Sequence, residues 1–231
     1  MRTARALLVV ALLLAALAVG VDRAAVVLAE RALAAQLQRS GDLTERPVVD
    51  VEGFPFLTQA LRGRYREVRV RAEGDVGGVE VDRLDVRLVD ARVPLSDVVG
   101  RRVGAVPVAA VRGEVVLTYG WLSDRAGKGL LLSGEGDLLR VRGRVEVLGQ
   151  DLAASALSEV RLDRGAVVVR AREFDTGAGA VDGVLGSVLA DRFDLRVPIG
   201  GLPYGLVLTG LRVRPEGLLL TAAGGPTVLQ P

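Results

Sequence analysis

The sequence predicts an α+β fold that is mostly β, with a hydrophobic N-terminal helix followed by antiparallel strands and a few short helices. Three observations lead to this prediction. An unbroken apolar run lies near the N-terminus, apolar and polar residues then alternate with a period of two, and turn residues separate the alternating segments. Half of the 231 residues are apolar and 25% are charged, so the chain can bury enough surface to fold.

Residues 1–22 are predicted to be a signal peptide or a signal-anchor helix. Two arginines lie within the first five residues, the apolar run Ala6–Val21 follows, and Asp22 ends it. This order is typical of an export signal, although the run is shorter than the roughly 20 residues of a full span. Small residues at Ala16–Ala18 permit cleavage. The helical pattern continues without a break beyond the run, which favours an uncleaved anchor with its positive end inside.

Residues 23–46 are predicted to form an amphipathic helix or stalk that ends near Ser40-Gly41-Asp42. Its expected apolar stripe consists of Val27, Leu28, Ala34 and Leu37. Two interpretations stay open: the helix packs on the folded domain, or it lifts that domain off a membrane. Residues 47–231 are predicted to form a single β-rich domain.

Alternation predicts the strands of this domain. The clearest alternating segments are Tyr65–Glu73, Leu84–Leu88, Leu139–Val147 and Ala166–Arg172. Such segments are typical of antiparallel strands with one wet face. Hairpin loops are predicted at Gly77-Gly78, Asp163-Arg164-Gly165 and Pro215-Glu216-Gly217. Short helices are predicted at Phe56–Leu61, Leu95–Arg101 and Val181–Phe193.

The composition excludes several kinds of chemistry. The chain has no cysteine and no histidine, which rules out Ser-His-Asp and Cys-His catalysis, Cys/His zinc sites and a histidine base. Carboxylates remain, such as Asp137 near Glu135 or Asp124 near Trp121, but their spacing does not indicate an acid–base pair. We therefore predict a protein that is not an enzyme, with no catalytic residue, metal or cofactor.

The arginines give no sign of nucleic-acid binding. Net charge is only +2, aromatic residues make up 3%, and bases need aromatic side chains for stacking. The densest basic stretch contains Arg62, Arg64 and Arg66, which are predicted to meet anionic lipid head groups. The alternative is a solvated strand face paired with the neighbouring acids Glu67, Glu73 and Asp75.

The apolar strands contain few large side chains to fill a wide interior. If the strands curl around a cavity, acyl chains can complete the core, whereas a well-packed β-sandwich needs no guest. The predicted helix Val181–Phe193 either plugs one end of a sheet or lines a cavity mouth. Its apolar stripe consists of Val184, Leu185, Val188 and Leu189.

Two regions carry a resemblance to a known family. Val51–Leu61 leading into Tyr65–Val70 resembles the actinobacterial LmeA-type phospholipid-binding proteins, and its Gly-Phe-Pro-Phe-Leu portion is the most specific part. The C-terminal stretches that also match are Val197-Pro198, Leu202–Leu208, Leu211–Val213 and Gly217–Ala222. The resemblance therefore covers nearly the whole chain.

The resemblance implies an elongated, curved β-fold similar to the tubular lipid-binding (TULIP) superfamily, with an apolar groove. It implies a cell-envelope protein without enzymatic activity that binds phospholipid or glycolipid and supports the making of lipoglycans such as lipomannan. Such a protein would be exported and anchored facing the periplasm or envelope, or secreted if cleaved. The matching apolar residues Phe54, Phe56, Leu57 and Leu61 are predicted to contact lipid, as is the stripe at Val184–Leu189.

Two other functions stay open from the sequence. One is an envelope scaffold that binds other proteins through sheet edges or through the helix at Ala24–Arg39. The other is an enzyme that acts on envelope glycan or lipid through Asp and Glu. The lipid species and the oligomeric state are not fixed by the sequence.

Overall fold

The structure, a computed structural model, confirms an α+β fold that is mostly β. It describes residues 2–39, 43–76, 78–94, 96–97, 104–126, 129–147, 150–176, 190, 193–198 and 202–229. The helices of these residues are α1 (Arg2–Arg39), α2 (Phe56–Arg62) and α3 (Tyr119–Ala126), with a 3₁₀ turn at Pro203–Gly205.

Antiparallel strands make up most of the described chain after α1. In order they are β1 (Val48–Glu52), β2 (Arg64–Val76), β3 (Val79–Arg92), β4 (Val106–Val108), β5 (Ala110–Thr118), β6 (Leu131–Glu135), β7 (Leu138–Val147), β8 (Gln150–Asp163), β9 (Ala166–Asp175), β10 (Leu195–Pro198), β11 (Val207–Val213), β12 (Gly217–Gly224) and β13 (Thr227–Leu229). Every segment predicted from alternation lies in one of these strands, which confirms the period-two interpretation.

The strands form two large sheets and one small one. The six-stranded sheet has the order β1-β2-β3-β5-β12-β11, the five-stranded sheet the order β10-β9-β8-β7-β6, and β13 pairs with β4. Two predicted hairpin loops are confirmed. Arg164 and Gly165 connect β8 to β9 as a two-residue turn, and both have positive φ. A two-residue turn needs positive φ to match the twist of its flanking strands. The second loop, at Pro215-Glu216, connects β11 to β12.

The N-terminal helix is one continuous element with two different environments. Among the described helices, α1 alone is long and apolar enough to cross a membrane, and its most apolar window is not buried at all. From Asp22 onward it packs against the six-stranded sheet, with Val26 and Ala34 buried. The predicted stripe was partly wrong, because Val27 and Leu28 are exposed. Apolar residues occupy so many positions here that periodicity alone does not fix which side faces the sheet.

The short helices were predicted with mixed success. The helix predicted at Phe56–Leu61 is confirmed as α2. Most of the predicted helices Leu95–Arg101 and Val181–Phe193 lies outside the described residues. The sequence interpretation missed α3, whose glycine and aromatic residues have weak helix propensity. The Thr118 hydroxyl accepts a hydrogen bond from the Trp121 N–H at 3.3 Å, and this capping pattern was the available signal.

Candidate functional site

One face of the six-stranded sheet, here called the inner face, is apolar across the strands. Residues paired directly across antiparallel strands point to the same side. Val70 pairs with Val86, Val86 with Gly113, Gly113 with Ala222 and Ala222 with Leu208. An uninterrupted row of small and aliphatic residues therefore crosses from β2 to β11.

Two different covers lie on the inner face. At one end the five-stranded sheet packs on it and forms the sheet-covered cluster, in which Leu130, Val141 and Phe193 are fully buried. At the other end α1, α2 and the β4–β13 pair form the helix-covered cluster, which includes Phe56 and Tyr65. The inner face thus has two separate buried cores.

A half-buried apolar strip separates these two cores. We call it the seam, and it consists of Leu84, Val86, Gly113, Val115 and Ala222, none of which is fully buried. Val86 borders the helix-covered cluster and Val115 the sheet-covered cluster. A Cβ added to Gly113 would meet no atom of the described chain within 4 Å. The seam therefore has an apolar floor, and at Gly113 no described residue lies directly over it.

A second apolar surface lies where β1 passes through α2 into β2. We call the segment Gly53–Gly63 the tip. Phe54, Leu57 and Leu61 are 54%, 38% and 76% exposed. Phe56 and Ala60, on the other side of α2, are buried against the sheet. The tip therefore presents an apolar edge to its surroundings while its opposite side joins the core.

Hydrogen bonds hold the tip against the sheet and α1. The buried Gln59 amide donates to the Glu52 carbonyl at 3.2 Å and accepts from the Arg66 N–H at 2.9 Å. The Asp22 carboxylate accepts from the Leu57 N–H at 2.8 Å. Gly63 ends α2 with a φ of 60°, a left-handed conformation that favours glycine. These contacts fix the height of the tip on α1.

Arginines surround the tip. The Arg23 guanidinium carbon lies 5.1 Å from the centre of the Phe54 ring, a cation–π distance. Arg64 is held by both carboxylate oxygens of Asp90. Arg62 and Arg66 are exposed and pair with no carboxylate of the described residues. Two cationic side chains beside the tip are therefore available to an anionic partner.

The opposite, outer face of the same sheet holds a polar cleft of about 840 Å³. Six arginines and five carboxylates line it, so its charges nearly balance. Arg69 makes a bidentate contact with Asp85, and Arg71 lies 2.5 Å from Asp50. Both pairs join diagonal positions on neighbouring strands, which long side chains can reach, and they correct the expectation of partners at Glu67, Glu73 and Asp75.

Glu135, one of the carboxylates considered for catalysis, lies in an ion pair. Glu135 pairs with Arg140, whose hydrogen bonds hold the pKa of the Glu135 carboxyl below its usual value. A general acid needs the opposite shift. The turn between β6 and β7 therefore carries a surface ion pair.

The predicted lipid-contact residues divide into three groups. Phe54, Leu57 and Leu61 come together on the exposed edge of the tip, with Arg62 and Arg66 beside them. Phe56 is only 6% exposed and packs on Tyr65, with ring centres 6.3 Å apart. The stripe Val184, Leu185, Val188 and Leu189 lies outside the described residues.

The sequence interpretation missed the seam. Its signal is a glycine at position 113 within a strand rich in valine, since an internal strand glycine often marks a site where another molecule approaches closely. The sequence did not show which strands lie beside Gly113, because β5 pairs with strands that are not its neighbours in sequence.

A comparison with protein families gives one match. The family model described as LmeA-like phospholipid-binding matches residues 20–223, which include the second half of α1, the tip and all but the last residue of the six-stranded sheet. No curated protein and no solved structure matches the chain. Similarity to the tubular lipid-binding fold thus stays a prediction.

Proposed function

Because the chain belongs to the LmeA-like phospholipid-binding family, we propose that it is a membrane-tethered envelope protein that holds phospholipid acyl chains along the seam. The observation that carries the proposal is the half-buried apolar strip with open space over Gly113. In this role the protein binds and presents lipid, and it performs no chemistry of its own.

The dimensions of the row that contains the seam suit an acyl chain. Four steps between strands separate Val70 from Leu208, and at about 4.8 Å per step the row is about 19 Å long. One leaflet of a bilayer is about 15 Å deep, half of its hydrocarbon core. The ends of the row, Val70 and Leu208, pack against the two covered clusters. Its middle, from Val86 through Gly113 to Ala222, is two steps or about 10 Å long. Part of an acyl chain fits there, and covering the seam removes apolar surface from water.

The tether follows from α1. Its first half is apolar and exposed, and its second half packs on the domain. Arginines at positions 2 and 5 precede the apolar run, which orients the N-terminus inside and the domain outside. A domain so placed faces the periplasm or envelope, where a held phospholipid or glycolipid can supply lipoglycan assembly or lipid transfer.

Native mass spectrometry of the full chain in detergent tests the proposal. We expect purified protein to carry phospholipid, and Gly113→Leu to carry several-fold less because the new side chain fills the seam. Gly120→Leu is the matched control, since a Cβ at Gly120 also meets no atom within 4 Å but lies on α3. Lipid retained around α1 is common to all three proteins and cancels in the comparison.

The outcomes separate the competing functions. Equal lipid content in the two leucine variants contradicts binding along the seam. A full chain without specific lipid that forms specific protein adducts on crosslinking in membranes supports the envelope scaffold instead.

A further inference from the structure

The tip contacts α1 at the point where the apolar run of that helix ends. We propose from this that the tip inserts into the anionic leaflet from which α1 emerges. The proposal rests on the tether of the proposed function and is independent of lipid in the seam. It assigns Phe54, Leu57 and Leu61 to the hydrocarbon boundary, and Arg62 and Arg66 to lipid phosphates.

The height of the tip follows from its contacts with α1. Asp22 comes directly after the apolar run, and its carboxylate accepts from the Leu57 N–H at 2.8 Å. The next residue, Arg23, lies over the Phe54 ring at 5.1 Å. The apolar edge of the tip therefore lies level with the last apolar turn of the helix.

The apolar run is short, which places the tip close to the lipid. Ala6–Val21 contains sixteen residues, which at 1.5 Å per residue span about 24 Å. A hydrocarbon core is about 30 Å thick, so the run is about 6 Å too short. A short span is accommodated by local thinning of the bilayer or by flanking residues, and both bring the tip to the boundary.

The orientation of α2 supplies the insertion surface. Leu57 and Leu61 are four residues apart and share the outward side of the helix. Their exposure of 38% and 76% leaves apolar surface in water unless a membrane covers it. Because this surface is continuous with a membrane-spanning helix, a bilayer is a better occupant than a protein partner.

The charges complement an anionic leaflet. Arg62 and Arg66 are exposed without a carboxylate partner among the described residues, whereas Arg23 at the same level already pairs with Asp22 at 2.7 Å. Arg64 differs because Asp90 already neutralises it. Cations beside an apolar edge are the usual pattern of interfacial membrane binding.

Site-specific labels measure the depth of the tip. The chain has no native cysteine, so single variants of the full chain can carry one environment-sensitive fluorophore each. We choose Leu61→Cys at the tip, Leu13→Cys in the apolar run, and Leu131→Cys as the control, since Leu131 is 65% exposed on β6. Each is reconstituted in vesicles of phosphatidylcholine with phosphatidylglycerol and quenched by nitroxide lipids or by aqueous iodide.

We expect nitroxide lipids to quench the labels at positions 61 and 13, and iodide to quench the label at 131. Iodide quenching at 61 with lipid quenching at 13 overturns the insertion while the tether stands. Iodide quenching at both positions overturns the tether and the insertion together.

A charge reversal tests the head-group contacts. In the Leu61→Cys chain, Arg62→Glu should lower the ratio of membrane-inserted to water-exposed label about fivefold in anionic vesicles. The matched control is Arg164→Glu, whose side chain is 90% exposed on the β8–β9 loop and should produce no shift. Equal effects of the two reversals, or equal depth in phosphatidylcholine alone, overturn the role of anionic lipid.

Discussion

The two ends of the inner face are covered in different ways. The sheet-covered end is apolar apart from the buried Ser158, and its large buried side chains, Leu130, Val141 and Phe193, offer volume alone. The helix-covered end includes polar groups that bond to backbone atoms: Asp22 to Leu57, and Glu30 to the Val51 N–H at 2.9 Å. Apolar packing has no direction, whereas a hydrogen bond does.

Because its two ends are covered differently, one sheet serves two purposes. Apolar packing stabilises both ends, which bury apolar clusters of similar size. The helix-covered end adds directed hydrogen bonds, which fix the angle of α1 and the height of the tip. The seam lies between these two cores, where neither cover reaches fully.

The largest expected loss of stability comes from a substitution in the sheet-covered cluster. Phe193→Ala should lower the free energy of unfolding by about 3–5 kcal/mol, because it leaves a cavity beside Leu130 and Val141. Urea denaturation in detergent measures it. The control Phe54→Ala removes an exposed ring and should stay within about 0.5 kcal/mol. Similar losses for the two phenylalanines would contradict the comparison.

A smaller effect is expected at the helix-covered end. Gln59→Ala should lower the free energy of unfolding by about 1–3 kcal/mol, because the Arg66 N–H and the Glu52 carbonyl lose their partner. Hydrogen exchange of the Arg66 amide should accelerate. Gln36→Ala, at an exposed position of α1, is the control. If the Arg66 amide kept its protection, Gln59 would not hold the tip.

The outer face offers a pH-dependent test. Hydrogen bonds from Arg69 lower the pKa of Asp85, while its burial acts in the opposite sense. The unfolded pKa is about 3.9, so the stabilisation is complete above about pH 5 and is lost as pH falls through the lower folded pKa. Asp85→Asn should cost about 1.5 kcal/mol at pH 7.

Measured across pH, the difference between the wild type and Asp85→Asn should shrink steadily below about pH 4. Lipid content should not change, because Asp85 faces away from the seam. A constant difference down to pH 2 would show that this carboxylate does not contribute through its charge.

The smallest expected effect concerns the tip itself. Leu61→Ser should change the free energy of unfolding by less than about 0.5 kcal/mol, because the side chain is 76% exposed. Thermal unfolding in detergent measures it. A large loss would mean that the exposed edge supports the fold and is not reserved for an external surface.

Much of the local structure could be predicted from the sequence. Alternation predicted the strands around Val70, Val86 and Val141, and glycine with charged residues predicted the turn at Arg164-Gly165. These patterns are local, so they require no knowledge of distant neighbours. The candidate site was predicted only in part. Phe54 and Phe56 lie two residues apart and appear equivalent in sequence, but one is exposed and the other is buried.

By itself, the sequence determined the apolar N-terminal helix, the period of the strands, the positions of two hairpins and the absence of histidine and cysteine chemistry. Only the tertiary structure decided that β5 lies between β3 and β12, which side of α1 meets the sheet, and that no described residue lies directly over Gly113. The physical reason is that alternation fixes which side of a strand is apolar. Which surfaces then meet depends on pairing between residues far apart in the chain.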